Sequence, residues 1–167
     1  MNIQVTLLDI RPLNHKIDGI NFIQTDAMNM DNIPDNSIQT LSSLCALEHF
    51  GLGRYGDPID YNGWKKALHA IKRKIKVGGL FYLSVPVGAE DKLVFNAHRI
   101  FRPITIINEL DPELSIQEFS YIRNWRINTC FDGEYDADVL DFVTKNHLAA
   151  GVTGLFAFKK LKMSVLE

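Results

Sequence analysis

The sequence predicts an α/β fold: a Rossmann-like, doubly wound sheet, mostly parallel, with an antiparallel C-terminal strand. Three observations carry this prediction. Short apolar runs recur along the chain with helical patterns between several of them, an order that fits a layered α/β domain rather than a sandwich or a bundle. Residues 41–88 hold an apolar run, a charged glycine-rich loop, an amphipathic helix and a second apolar run, about the size of a parallel βαβ crossover. The 167 residues are 46% hydrophobic and 23% charged, without a repeat, a low-complexity tract or a linker, so one domain spanning 1–167 is expected.

The elements follow in order. Residues 5–10 form an apolar run closing on Asp9, with Pro12 just beyond, and read as a strand and turn. A second strand, 21–24, ends in Thr25-Asp26-Ala27. Residues 31–37, Asp-Asn-Ile-Pro-Asp-Asn-Ser, are turn chemistry. A third strand is expected over 38–47, carrying Cys45 into the core and closing on Glu48-His49. Trp64, Ala67, Leu68, Ile71 and Ile75 recur at three- and four-residue spacing, which predicts a helix over 61–76, capped by Asp60 or Asn62 and ended by Gly78-Gly79. A fourth strand follows over 80–85. Residues 95–99 read as a loop or single turn, 103–110 as a short helix and 116–122 as a strand. Residues 136–147 read as a helix capped by Asp136, and 152–160 as the closing strand.

Composition excludes several roles. A net charge of −2 gives no bulk attraction to nucleic acid or to an anionic membrane, and Lys72-Arg73-Lys74 reads as a solvated helix end. No apolar run approaches membrane-spanning length, and residues 1–12 lack the pattern of a signal peptide. The two cysteines have no metal-ligand spacing, so a reducing, cytoplasmic location is expected.

Ligands of open α/β sheets sit outside the carboxyl ends of the strands, which directs attention to Glu48, His49 and the loop behind them. His49 suits a general base because an unperturbed imidazole titrates near working pH, and Glu48 is its alternative. Arg54, Tyr55, Asp57 and Asp60 lie in a loop punctuated by Gly51, Gly53 and Gly56, and read as an acceptor-binding lid in which Arg54 holds an anionic group. The plainer reading is a structural loop in which Arg54 pairs with Asp57 or Asp60. His98 and Arg99 follow a strand end and are expected across the same cleft.

Leu7-Leu8-Asp9, Thr25-Asp26-Ala27 followed by Ile33-Pro34-Asp35-Asn36-Ser37-Ile38, and Leu47-Glu48-His49 followed by a basic helix end and Val77-Gly78-Gly79-Leu80 resemble the downstream part of a class I methyltransferase fold. More narrowly, His49-Phe-Gly-Leu-Gly-Arg-Tyr-Gly-Asp-Pro-Ile-Asp60, with Val85-Pro-Val-Gly88 and Phe95-Asn-Ala-His-Arg99, resembles an uncharacterised methyltransferase-like family, a domain of unknown function first noted in nematode proteins and also found in bacteria. The resemblance implies S-adenosylmethionine as cofactor. Asp9 would take the ribose hydroxyls, Asp26 with Ala27 the adenine, and an unknown small-molecule or saccharide-like substrate would accept the methyl group. Some RNA-end methyltransferases place a metal-ligating glutamate three residues before a Glu-His pair. Cys45 stands there, so no metal is expected.

The family's first motif, a strand running into a glycine-rich turn, does not precede Asp9, and Ile10-Arg11-Pro12 stands where its glycines would be needed. The start of the chain is therefore expected to correspond to the fold's second strand, which would leave a gap in the sheet. Three outcomes are open: the sheet closes over that gap, a second chain fills it, with a homodimer the natural cover, or the sequence is a remnant or an incompletely annotated gene product. Two other functions stay open beside methyl transfer: a degenerate interaction domain, and a protein that binds a nucleotide or sugar nucleotide.

Overall fold

In the computed structural model, which describes residues 4–94, 97–148 and 151–162, the predicted crossover forms. Strand β1 (Val5–Asp9) and strand β2 (Ile20–Gln24) precede it. Strand β3 (Ile38–Leu44) leads through a 3-10 turn (Leu47–His49) and the glycine-rich loop into α1 (Gly63–Lys74) and then β4 (Ile75–Val87), which pairs parallel to β3. A small hairpin, β5 (Lys92–Val94) with β6 (His98–Ile100), comes next. Then follow α2 (Pro103–Leu110), β7 (Leu114–Arg123), β8 (Arg126–Asp132), α3 (Ala137–His147) and β9 (Val152–Lys160).

Four expectations change at this level. The third strand stops at Leu44, because Cys45 turns with φ of 50°, and Glu48-His49 consequently sits in the 3-10 turn. Cys45 is exposed rather than core, since β3 is an edge strand. The helix ends at Lys74, and Gly78-Gly79 lies inside β4. There Gly78 takes φ of 79°, a Cβ on Gly79 would meet the Ile75 side chain at 2.8 Å, and the register skips between Ile38↔Ile75 and Thr40↔Leu80. The glycines thus shape a strand irregularity, not a helix cap. Of 95–99, Phe95 and Asn96 lie outside the described residues, while His98 and Arg99 belong to β6.

Five strands form one sheet in the order β3-β4-β9-β7-β8. Strands β3, β4 and β7 share a direction, and the C-terminal β9 runs against them between β4 and β7, as expected of a closing antiparallel strand. Strand β8, which the sequence pattern does not reveal, adds a second reversed strand. Its hairpin turns on Asn124 and Trp125, both at positive φ, the two-residue geometry whose twist matches the strands. Strands β1 and β2 form a separate parallel pair, so among the described residues β1 has no partner but β2, and β3 none but β4.

One face of the five-stranded sheet carries the core. Phe81, Leu83, Val85, Phe119, Phe156 and Phe158 are buried there under Leu68 and Ile71 of α1, Ile106 and Leu110 of α2, and Leu140 and Val143 of α3. At about 2 kcal/mol for each large apolar side chain removed from water, this layer dominates the stability. Doubly wound sheets carry helices on both faces. Among the described residues, all three helices lie on this one.

Candidate functional site at the strand carboxyl ends

The glycine-rich loop is a closed unit. Asp60 N–H donates to Gly51 C=O at 2.9 Å, and Leu52 bridges Ile59 across the loop. Gly51 has φ of 75°, and a Cβ there would lie 2.0 Å from the Asp60 carbonyl oxygen, so only glycine permits this closure. Asp57 fills the interior. Its Oδ2 accepts from Gly51 N–H (2.8 Å) and Gly53 N–H (3.3 Å), and its Oδ1 from Tyr55 N–H (3.1 Å). Asp60 accepts from Asn62 N–H (2.9 Å) and pairs with Lys66 Nζ (2.6 Å), which holds its carboxyl below the usual range and fastens the start of α1.

Arg99 anchors the loop from below. It is 5% exposed, and its guanidinium donates to the Phe50 carbonyl (2.6 Å) and the Tyr61 carbonyl (3.1 Å) at the two ends of the loop. Burial lowers its affinity for a proton. Of the residues predicted around the acceptor, Arg99, Asp57 and Asp60 therefore spend their polar groups on the loop itself, and the expected Arg54–Asp57 or Arg54–Asp60 pair is replaced by an arginine that reaches across to β6.

His49, Arg54, Tyr55 and His98 do come together. His49 Nδ1 lies 3.1 Å from the Ala97 carbonyl oxygen, to which Arg54 Nη1 also donates. Two groups approach Nδ1: the Ala97 carbonyl at 3.1 Å, which only accepts, and Arg54 Nη1 at 3.4 Å, which only donates, and the shorter contact assigns the ring hydrogen to Nδ1 and the lone pair to Nε2. Tyr55 meets the imidazole edge-on with ring centres 5.6 Å apart, and His98 stands 6.3 Å away. Burial is the main cause that holds the His49 pKa below its usual value, with the Arg54 and His98 charges adding to it and the Ala97 carbonyl opposing. Glu48 is 3% exposed, its Oε2 has no hydrogen-bond partner among the described residues, and its Oε1 lies 3.9 Å from His49 Nε2. Burial raises its pKa.

A cavity of about 210 Å³ lies between this cluster and the ends of β1 and β2, lined by Asp9, Asp26, Ala27, His49, Phe50 and Tyr55 among others. Asp26 Oδ1 accepts from Met28 N–H at 2.8 Å. Asp9 is held by a residue that sequence reading passed over. Arg11 binds it through Nε (3.0 Å) and Nη2 (2.7 Å), chiefly responsible for lowering the Asp9 pKa, and lies 4.8 Å from the centre of the Tyr55 ring. The two-residue spacing after a strand end is the signal that points to it. A wider, more open concavity of about 480 Å³ lies between β8 and the start of α3, lined by Asp132, Glu134, Asp136 and Asp138. It contains none of the predicted site residues, and its Asp136 carboxylate caps α3. No group of three potential metal ligands occurs among the described residues, and none of their helices is long and apolar enough to cross a membrane.

The family described as "Caenorhabditis protein of unknown function, DUF268" matches residues 3–129. No curated protein matches the chain. Among solved structures, it is similar to the 1,6-didemethyltoxoflavin-N1-methyltransferase of Burkholderia thailandensis, bound to its substrate and S-adenosylhomocysteine. The TM-score is 0.63 at 12% identity, over 95% of this chain and 62% of that one. It is similar to the N-methyltransferase NodS of Bradyrhizobium japonicum with S-adenosylhomocysteine, TM-score 0.58 at 13% identity, over 95% and 67%. The [4+2]-cyclase SpnF also matches, TM-score 0.54 at 14% identity, over 86% of this chain and 58% of that one. The chain thus spans about three fifths of the length of such neighbours. Its fold is the Rossmann-like α/β fold of class I methyltransferases, a scaffold that the cyclase shows is not confined to one activity.

Proposed function

The chain belongs to the DUF268 family, and from that premise we propose that it serves as an S-adenosylmethionine-dependent methyltransferase for a small-molecule acceptor. The observation that carries the reading is the cavity joining Asp9 and Asp26 at two strand ends to the His49 imidazole. The residues fit the nucleoside half of the cofactor. Asp9, whose oxygens already accept from Arg11, would offer its remaining lone-pair capacity to a ribose diol, Asp26 retains one oxygen beyond its bond to Met28, and Ala27 leaves room for a flat base. At about 210 Å³ the cavity falls below the roughly 300–1,000 Å³ of a full ligand pocket, in keeping with half of the cofactor. When bound, the cofactor supplies an electrophilic methyl group.

The chain's own residues would do the rest. His49 receives the acceptor's proton at Nε2, the nitrogen left free because Nδ1 is committed to Ala97. Tyr55 walls the cavity, and Arg54 and His98 add polarity at its rim. Glu48 lies buried beside Nε2, and burial raises its pKa, which makes it the second candidate for the base. Much of the rate would come from holding the acceptor against the methyl group.

Titration calorimetry with S-adenosylhomocysteine tests this. Micromolar binding is expected, weakened at least about tenfold in Asp9→Ala, the loss of a charge-assisted pair of hydrogen bonds. No heat at millimolar ligand would sink the reading. Arg11 gives nucleotide binding one specific support, since an arginine beside the ribose carboxylate suits a phosphate. A nucleoside monophosphate that outcompetes S-adenosylhomocysteine would favour that function instead.

A further inference from the structure

The most exposed large apolar side chains gather at one end of the sheet. Among the described residues, Trp125 is 99% exposed, Ile59 88%, Tyr61 76% and Ile127 68%, ahead of the other large apolar residues. Ile59 and Tyr61 lie in the connection that follows β3, and Trp125 and Ile127 in the hairpin that follows β7. Because β3 and β7 run in the same direction, all four stand at the carboxyl ends of these strands, the end that holds the cavity. Stability alone does not favour this hairpin. Trp125 takes φ of 60°, a conformation that suits glycine and not a bulky ring. Arg123 and Arg126 stand directly opposite each other in the last rung, a like-charge pairing that weakens a ladder, and Arg123 Nη1 lies 3.4 Å from His147 Nδ1. Neither arginine, nor Arg54 in the glycine-rich loop, has an acidic partner among the described residues. The acidic concavity of Asp132, Glu134, Asp136 and Asp138 lies at the opposite end, where β8 closes and α3 begins.

We propose that this end of the molecule docks on an anionic lipid bilayer, with Trp125 in the headgroup layer and Arg123 and Arg126 on lipid phosphates. The pieces match that surface in kind. An indole, apolar in body and polar at its N–H, prefers the boundary between headgroups and acyl chains. A phosphate between the two arginines turns a repulsive rung into an attractive one. Ile59 and Ile127 are aliphatic, so they can enter a bilayer but can neither stack on a base nor bond a phosphate, which sets nucleic acid aside. The apolar groups also ride on two separate connections, three strand spacings or about 14 Å apart, a spread that a broad, soft surface meets at once. The net charge of −2 gives the chain as a whole no pull toward such a membrane, so the attraction is local and short-ranged. The inference stands apart from methyl transfer, since none of these side chains lines the cavity.

Flotation of the full chain with lipid vesicles decides it. The chain should bind vesicles of phosphatidylcholine with about 30% phosphatidylserine at low salt, and lose most of that binding at about 0.5 M salt. Phosphatidylcholine alone should bind at least about tenfold more weakly. Tryptophan emission should move to the blue on binding through Trp125, because Trp64 is already buried. Trp125→Gly should weaken binding at least about tenfold while leaving the thermal midpoint unchanged or higher, since glycine accepts the positive φ. A tryptophan kept for structure would lower the midpoint and leave binding alone. Joint Arg123→Gln and Arg126→Gln should abolish the preference for anionic vesicles. Val77→Ser, exposed at the other end of the sheet, should change nothing. No binding to the anionic vesicles overturns the proposal, as does binding that Trp125→Gly leaves intact. A single-stranded oligonucleotide that binds where vesicles do not would assign this end to nucleic acid and overturn it too. If the arginine variant misfolds, Trp125→Gly and Ile59→Ser carry the test, since each alters an exposed side chain.

Discussion

At His49 a backbone carbonyl selects the tautomer, and burial sets the basicity. The Ala97 oxygen fixes the hydrogen on Nδ1, while desolvation, Arg54 and His98 disfavour a second proton. The folded-state pKa therefore lies below the ordinary value of 6.5. The sign of the linkage follows. The unfolded chain takes up this proton first, so the stability associated with His49 is present above 6.5 and is lost as pH falls through the lowered folded value. Nitrogen-15 NMR should show Nδ1 protonated and Nε2 bare near neutral pH, with a titration midpoint below 6.5. Arg54→Gln should raise that midpoint by removing a repelling charge. A midpoint above 6.5, or the opposite tautomer, would remove His49 from the role of base. Glu48 and His49 were legible as candidates because both close an apolar run before a charged loop. The contact that orients the His49 ring was not, since Ala97 lies 48 residues on.

Elements differ in how far the sequence discloses them. Helix α2 and strand β9 match their expected bounds because Pro103 marks a first helical turn and 152–160 alternates between core and surface. Strand β8 escaped because an edge strand buries little. Of Arg126–Asp132 only Phe131 is buried, and the apolar pattern never builds up. Strand β6 has three residues, too few for any period. The glycine-rich loop was legible as a loop. What holds it shut was hidden, because Arg99 recognises backbone carbonyls and carbonyls leave no mark on a sequence. Arg99→Leu should cost roughly 2–4 kcal/mol in urea unfolding, since it strands two carbonyls at the ends of the loop. Arg99→Lys should recover about half of that, because one ammonium cannot hold both with a fixed fork. Exposed Arg102→Leu is the control and should change stability by less than about 0.5 kcal/mol. A loss no larger for Arg99→Leu than for the control would mean that the loop closes on Asp57 and Gly51 alone.

The whole molecule combines a strong sheet with a weakly attached strand pair. Strands β4, β9 and β7 are central, each hydrogen-bonded on both sides and buried on the helix face. Among the described residues, strands β1 and β2 pair only with each other, and Val5 and Leu7 are 48% and 42% exposed. Leu8 and Ala27 pack against the core, and the turn after β2 buries Met30, but no ladder among the described residues joins this pair to the main sheet. Local opening should therefore cost far less here than global unfolding. In hydrogen exchange, the amides of β1 and β2 should exchange at least about 100-fold faster than those of β4 and β9. The proposed ligand cleft lies between the two parts, with Asp9 and Asp26 on one side and His49 and Phe50 on the other. A ligand that bridges it binds only the closed arrangement and should stabilise it by mass action, about 2.7 kcal/mol at 100 times its dissociation constant. S-adenosylhomocysteine should consequently slow exchange in β1 and β2 far more than in β9. Protection confined to the central strands would place the ligand elsewhere. Equal exchange in β1 and β9 without ligand would show that the strand pair and the main sheet open as one unit.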